Sequence, residues 1–271
     1  MRSQLLAYVV LLMGTTKNNM NSKHIFTLYC PTFNVNQELS IDKSLTIINQ
    51  LLWHRIVHVL RLTAKEYVIL FDGKQQLTIE LSIPTFTKKN MIAGVIRNVI
   101  VSKPLAPVIT LMPALLKRDA FEAAIYYAAQ MGANSIQPII TAKTQRSWHG
   151  DKEFERLTNV MIAACEQAKN FTLPEFKAPV LLREIEEQPT SMNIYFEEDG
   201  LSLMAIMQKC AEITPQHMAL VFGPEGGLTI EEQSFLDARR FICCALTPTI
   251  LRAQEAIAVG LGSIRSLINP K

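Results

Sequence analysis

Gly223-Pro224-Glu225-Gly226-Gly227 packs three glycines directly behind the apolar run Met218–Phe222. A buried strand that feeds such a loop presents backbone N–H groups at a strand's C-terminal end. Ligands of open α/β sheets sit there, and the missing Cβ atoms let them approach the chain. Thr229 and Glu232 follow at the Ser/Thr-x-x-Glu spacing of a capping box, which predicts a helix start. A tight strand-to-helix turn without any ligand has the same spacing. The loop is neither Gly-x-Gly-x-x-Gly nor a Gly-Lys-Ser/Thr phosphate loop, so nicotinamide cofactors and nucleoside triphosphates are disfavoured. A second polar group follows: Leu246-Thr-Pro248-Thr-Ile250-Leu251-Arg252-Ala-Gln254-Glu255-Ala256. Pro248 ends an apolar run and Arg252, Gln254 and Glu255 open a helix. A helix N-terminus favours Glu255 and disfavours a cation. Arg252 therefore either has a carboxylate or phosphate partner or is a solvated surface charge.

These loops need a sheet to hold them. After Pro107 the pattern alternates. Strands are predicted at Val108–Met112, Ile136–Ile140, Asn193–Phe196, Met218–Phe222 and Phe241–Leu246. Between them lie helical stripes: Phe121, Ile125, Ala128 and Ala129 up to Gly132; Phe154 to Cys165; Leu201–Ala211; Thr229–Arg239; and Ala253–Leu267. Such alternation predicts a parallel α/β sheet covered on both faces. From His24 to about Ile100 the runs are short and β-like. Tyr67–Phe71, Leu77–Ile83 and Met91–Val101 are separated by Asp72-Gly73 and Pro84, which suggests a small barrel. Lys103-Pro104 and Pro107 mark a linker.

With 271 residues, 49% hydrophobic and 19% charged, the chain has one or two domains and is not disordered. The longest apolar run, Leu5–Met13, is far short of the ~20 residues that cross a bilayer, so no membrane is expected. The net charge of +3 is unevenly spread: residues 20–103 carry ten Lys/Arg against five Asp/Glu, and residues 104–271 carry fifteen against nineteen. A basic front and an acidic back suit different partners, with phosphates at the front; chance scatter is the bland alternative. The five cysteines form no Cys-x-x-Cys pair, so neither a metal site nor a disulfide framework is expected, and a reducing cytoplasm fits.

Taken together, the motifs resemble one family. Gly223–Gly227 with Leu228-Thr229-x-x-Glu232, followed by Leu-x-Pro-x-Ile-Leu-Arg-x-x-x-Ala, resembles the RsmE family of rRNA methyltransferases in the SPOUT superfamily. In the front half, His54-Arg55-Ile56-Val57-His58-Val59-Leu60-Arg61-Leu62 is similar to the family's His-x-(Leu/Ile)-x-x-Val-Leu-Arg-Leu. Leu70-Phe71-Asp72-Gly73 matches its Leu-Phe-Asp-Gly. Met20-Asn-Ser-Lys23-His24-Ile25-Phe26 looks like its usual N-terminus, so residues 1–19 are expected to be an extension outside the fold. A secreted α/β protein led by those residues is the competing expectation, although no Ala-x-Ala-like cleavage site follows the apolar run.

The resemblance implies an N-terminal PUA-like β-barrel at 20–103 that binds RNA. It implies a C-terminal SPOUT α/β domain at 107–271 with a deep trefoil knot. It further implies a homodimer, S-adenosylmethionine as methyl donor, and methylation of N3 of a uridine in 16S rRNA of the small ribosomal subunit. The cofactor would be lined by Leu220, Phe222, Gly223, Pro224, Glu225, Gly226 and Gly227, with Leu246, Ile250, Leu251 and Arg252 from the second loop. Arg252 would contact the uridine or stabilise the imide anion left when N3–H is lost. Glu225 and Glu255 are the candidate proton acceptors. For RNA, Lys23, Arg55, Arg61, Lys88 and Lys89 are candidates to meet phosphates, each with a plain surface charge as the alternative. His54 and His58 either bond to or stack on RNA or pack within the barrel.

The sequence also departs from the family. Thr247 and Thr249 replace a Gly and an Arg, Ala253 a Thr, and Gln254 a Glu. Tyr127 and Gln130 replace a Lys and a Glu. Thr141-Ala142-Lys143-Thr144 stands for Ser-Glu-Arg-Ser, and Ala163 for a Glu ahead of Glu166-Gln167. Lost polar groups with an intact glycine loop keep a second expectation open: a weakened or inactive RNA-binding or ribosome-assembly factor on the same fold.

Overall fold

The computed structural model describes residues 25–31, 33, 39–185, 191–209 and 215–268. The expected start at Met20 and the RNA candidate Lys23 lie outside them. The first part of the chain runs through β1 (Phe26–Tyr29), β2 (Ser44–Ile48), α1 (Gln50–His54), β3 (Tyr67–Phe71), β4 (Gln75–Leu81), α2 (Pro84–Thr87) and β5 (Met91–Val101). Its sheet has the order β1-β3-β4-β5-β2, with β1 parallel to β3 and every other pair antiparallel. Alternation sets which face is buried: Leu45 and Ile47 on β2, and Leu77, Ile79 and Leu81 on β4, all point inward. The Asp72 carboxylate accepts the N–H groups of Lys74 and Gln75, both at 2.8 Å, and so turns β3 into β4. Helix α1 starts on an Asn49 cap that accepts the Leu52 N–H, and runs on as a π-helical turn at Arg55–Val59. The expected barrel is an open sheet among the described residues, because β1 and β2 are edges with no ladder between them.

The second part alternates as expected. It comprises β6 (Val108–Pro113), α3 (Arg118–Gln130), β7 (Ser135–Ile136), β8 (Ile139–Ile140), α4 (Asp151–Ala168), β9 (Glu175–Phe176), β10 (Val180–Leu181), β11 (Ser191–Ser202), α5 (Leu203–Lys209), β12 (His217–Phe222), α6 (Ile230–Ala238), β13 (Phe241–Ala245) and α7 (Ala253–Ile268). The order β13-β11-β12-β6-β7-β9 is parallel throughout. The predicted strand Ile136–Ile140 is split. At Pro138, which has no N–H to give a ladder, the pairing is interrupted: beyond it Ile139 keeps one isolated bridge to Ala114, and β8 forms its ladder with β10. Both faces of the large sheet are covered. Leu111, Ile194 and Leu220 pack with residues of α3, α4 and α7, while Ala219 and Val221 pack with Leu236 of α6.

The two parts meet on shared apolar residues and one ion pair. Phe71 of β3 belongs to the rear core and stands edge-on to Phe171 at 5.8 Å. Glu166 of α4 receives both terminal nitrogens of Arg55, at 2.8 and 2.6 Å, and the Tyr29 N–H at 2.8 Å. At the other end, buried Arg265 of α7 donates to Pro107 O, Gly132 O and Asn134 Oδ1 at 2.6–2.9 Å. Burial pulls its pKa down to about 10.

Candidate active site

Strands β11, β12 and β13 end side by side. Phe196 is paired with both Phe222 and Cys244, and the Phe196 and Phe222 rings stack at 4.3 Å. Three loops therefore leave the sheet at one edge. On β11 the register jumps between Phe196 and Leu201, so Glu197–Gly200 bulge out. A Cβ on Gly200 would meet Cys244 backbone at 2.5 Å. After β12 comes the glycine loop. Gly227 has φ +67°, a conformation that disfavours any side chain. The capping box then closes as the sequence predicts: Thr229 Oγ1 accepts the Glu232 N–H at 3.2 Å, and Glu232 Oε2 accepts the Thr229 N–H at 2.9 Å. Glu197 on the bulge accepts the Leu228 N–H at 3.0 Å, and Glu225 accepts the Lys117 N–H at 3.1 Å.

Together these loops enclose a cavity of ≈ 560 Å³, within the range of small-molecule pockets. Its wall includes the candidates Phe222, Gly223, Pro224, Glu225, Gly226 and Gly227, and from the second loop Leu246, Ile250 and Leu251. Leu220 lies elsewhere, fully buried within the sheet. Arg252 and Glu255 are both exposed and stand outside the wall, with the Gln254 amide donating to Glu255 at 3.2 Å. The wall also contains residues that local pattern reasoning missed: Glu197, Glu198, Asp199, Lys143, Gln233 and Cys243. The Glu-Glu-Asp-Gly run behind the apolar Asn193–Phe196 was the available signal, since it too sits at a strand's C-terminal end.

Burial pushes the Cys244 thiol up to about 12 and raises Cys243 as well, so both stay protonated near neutral pH and neither supplies a thiolate nucleophile. Among the described residues no group of His, Cys, Asp and Glu is arranged to hold a metal ion, and no helix is long and apolar enough to cross a membrane.

The front candidates are divided. Arg55 is committed to Glu166, whose hydrogen bond also raises its pKa. His54 and His58 are both exposed, 5.2 Å apart, and His58 stands edge-on to Trp53 at 5.1 Å. Trp53 Nε1 donates to Thr85 O, which brings this group beside the turn carrying exposed Lys88 and Lys89. Arg61 is exposed.

The sequence pattern of the RNA methyltransferase domain family matches residues 103–265. The chain is 25% identical over 235 residues to the ribosomal RNA small subunit methyltransferase E of Rickettsia conorii, covering 86% of this chain and 94% of that one. The Synechocystis protein of that name is 27% identical over 245 residues, covering 85% and 76%. A crystal structure of the Neisseria gonorrhoeae small subunit methyltransferase E bound to S-adenosyl methionine has a similar fold. Its TM-score is 0.76 at 22% identity, with 90% of this chain and 98% of that chain covered.

Proposed function

The chain belongs to the RNA methyltransferase family, and on that premise we propose that it transfers a methyl group from S-adenosylmethionine to N3 of a uridine in 16S rRNA of the small ribosomal subunit. One observation carries this reading: the glycine loop of β12 forms a wall of a ≈ 560 Å³ cavity at the aligned C-terminal ends of three parallel strands. The residues present fit the donor. Gly227 holds a conformation that brings backbone against the space, and Phe222, Leu246, Ile250 and Leu251 give an apolar side for an adenine. Bound there, the donor supplies an electrophilic methyl on a sulfonium. The protein's part is to hold the reacting nitrogen in line and to exclude water. Of the two candidate carboxylates, Glu225 is the one in the cavity wall and Glu255 is outside it.

Residues 20–103 act in this reading as the RNA-binding unit, of PUA-like type, and residues 107–271 as the SPOUT catalytic unit. Arg61, Lys88, Lys89 and Lys23 are the candidates to meet phosphates in this reading, and His54 and His58 the candidates to bond to or stack on RNA. Arg55 is a weaker RNA candidate, because Glu166 already takes both of its terminal nitrogens. A trefoil knot is consistent with the order of the large sheet. β13 lies outside β11, yet α7 returns to the other side, where Arg265 grips Pro107 and Gly132. A homodimer working in the cytoplasm completes the proposal.

Labelled S-adenosylmethionine and small subunits lacking the modification test it: label in 16S rRNA at a uridine N3 is expected, and folded protein that labels no RNA rejects it. A second reading, a non-catalytic RNA-binding factor on this fold, draws on the exposure of Arg252 and Glu255 away from the cavity. It expects RNA binding that is indifferent to the donor.

A further inference from the structure

Among the described residues the cavity wall holds one side-chain cation, Lys143, and it comes from neither of the loops that the motifs mark. Lys143 lies between β8 and α4 in a turn closed by its own threonines. The Thr141 N–H donates to Thr144 Oγ1 at 2.9 Å, and the two hydroxyls are 3.0 Å apart. Glu232, the capping-box residue of α6, uses its other oxygen to accept the Ala142 N–H at 2.7 Å. The turn is thus tied to the helix that follows the glycine loop. From there the lysine stem crosses Gly226, where a Cβ would stand 3.3 Å from Lys143 Cδ. The ammonium donates to Gly226 O at 2.7 Å and to Leu228 O at 3.3 Å. An ammonium has three N–H donors, so one remains.

We propose that Lys143 is the electrophilic residue of the methyl-transfer site: its remaining N–H meets a uracil carbonyl oxygen beside N3 and stabilises the charge left when N3 loses its proton. The proposal rests on the rRNA methyltransferase reading and deepens it. A neutral imide nitrogen is a poor nucleophile. In the reaction the N3 proton passes to a carboxylate, Glu225 being the candidate acceptor in the cavity wall, and the freed electron pair forms the bond to the methyl carbon. The carbon–sulfur bond then breaks with its pair on sulfur, which becomes a neutral thioether. The developing charge lies on N3 and its flanking carbonyls. A cation fixed there beforehand acts without reorganisation, which is where such groups contribute most. Both side chains are exposed, but Lys143 lines the cavity with its ammonium held on Gly226 O and Leu228 O, whereas Arg252 stands outside the wall.

The test compares wild type, Lys143→Met and Lys143→Arg as full chains. Three quantities are measured: methyl-transfer rates to unmodified small subunits between about pH 6 and 9, calorimetric affinity for S-adenosylhomocysteine, and thermal melting. Removing the cation is expected to lower the rate near pH 7 by roughly a hundredfold, and the deficit shrinks as rising pH itself removes the N3 proton. Lys143→Arg recovers most of the rate. Affinity for S-adenosylhomocysteine stays within about threefold in both variants. A deficit that is the same at every pH overturns the proposal. So does affinity for S-adenosylhomocysteine that falls in step with the rate, which reduces the role of Lys143 to cofactor binding or to bracing the glycine loop alone. A wild type that methylates no RNA removes the rRNA methyltransferase reading and this proposal with it, an outcome distinct from an active wild type matched by Lys143→Met.

Discussion

The glycine loop after β12 is tied down from four sides: Glu197 from β11, Lys143 from the β8–α4 turn, Glu232 from α6, and the Lys117 N–H through Glu225. The loop after β13 lines the same cavity with far less holding it. Thr247 Oγ1 donates to Thr249 O at 2.5 Å, the Arg252 carbonyl accepts from Ala256, and Pro248, Thr249, Ile250 and Arg252 are exposed, Ile250 at 82%. An exposed isoleucine on a cavity edge has apolar surface still to bury. One wall is thus built in advance, and the other is expected to gain contacts when a ligand arrives. The departures from the RsmE pattern at Thr247, Thr249, Ala253 and Gln254 fall in and just after the loosely held loop, whereas the braced loop keeps the pattern whole.

The largest effect is expected at Glu232, which braces the first wall twice. Glu232→Ala leaves the N–H groups of Thr229 and Ala142 without acceptors, at about 2–3 kcal/mol together. The thermal midpoint then drops by roughly 5–10 °C, and affinity for S-adenosylhomocysteine falls more than about tenfold. Next is Gly227→Ala, which forces a side chain into φ +67°. A loss of about 1–2 kcal/mol is expected in denaturant unfolding, with a parallel loss of affinity by calorimetry.

Changes in the second loop act on binding and not on folding. Ile250→Ala leaves stability within about 0.5 kcal/mol and weakens S-adenosylhomocysteine by roughly threefold, about what one partly buried aliphatic side chain contributes. The smallest effect is expected at Arg252→Ala: stability within about 0.5 kcal/mol and affinity within about twofold, as suits a solvated charge. A drop in affinity of tenfold or more at Arg252 would mean that this loop folds inward on binding, and the contrast between the walls would need redrawing.

What could be read from the sequence was local. The run from β12 through Gly223–Gly227 to the Thr229–Glu232 cap was legible because strand, turn and cap each have a short-range signature. β3 and β5 were also legible, because alternation and turn residues bound them. What was missed depends on distant partners. Strands β1 and β2 are four and five residues long, too short for a period to stand out from the flanking sequence. Arg55 reads as a surface cation until Glu166, 111 residues later, is brought against it. The bulge at Glu197–Gly200 exists because of how β11 lies against β13, and Lys143 reaches the cavity only through a turn that Glu232 holds. The open edge between β1 and β2 follows the same rule, since closure is a property of pairing and not of composition.

Calorimetric titration of the full chain with S-adenosylhomocysteine tests the central claim most directly, because it asks whether the braced glycine loop and the aligned strand ends form a methyl-donor site. One molecule bound per chain at micromolar affinity is expected, with the affinity lowered in Gly227→Ala. A folded wild type that gives no binding heat at millimolar ligand, while still binding small-subunit RNA, would contradict it.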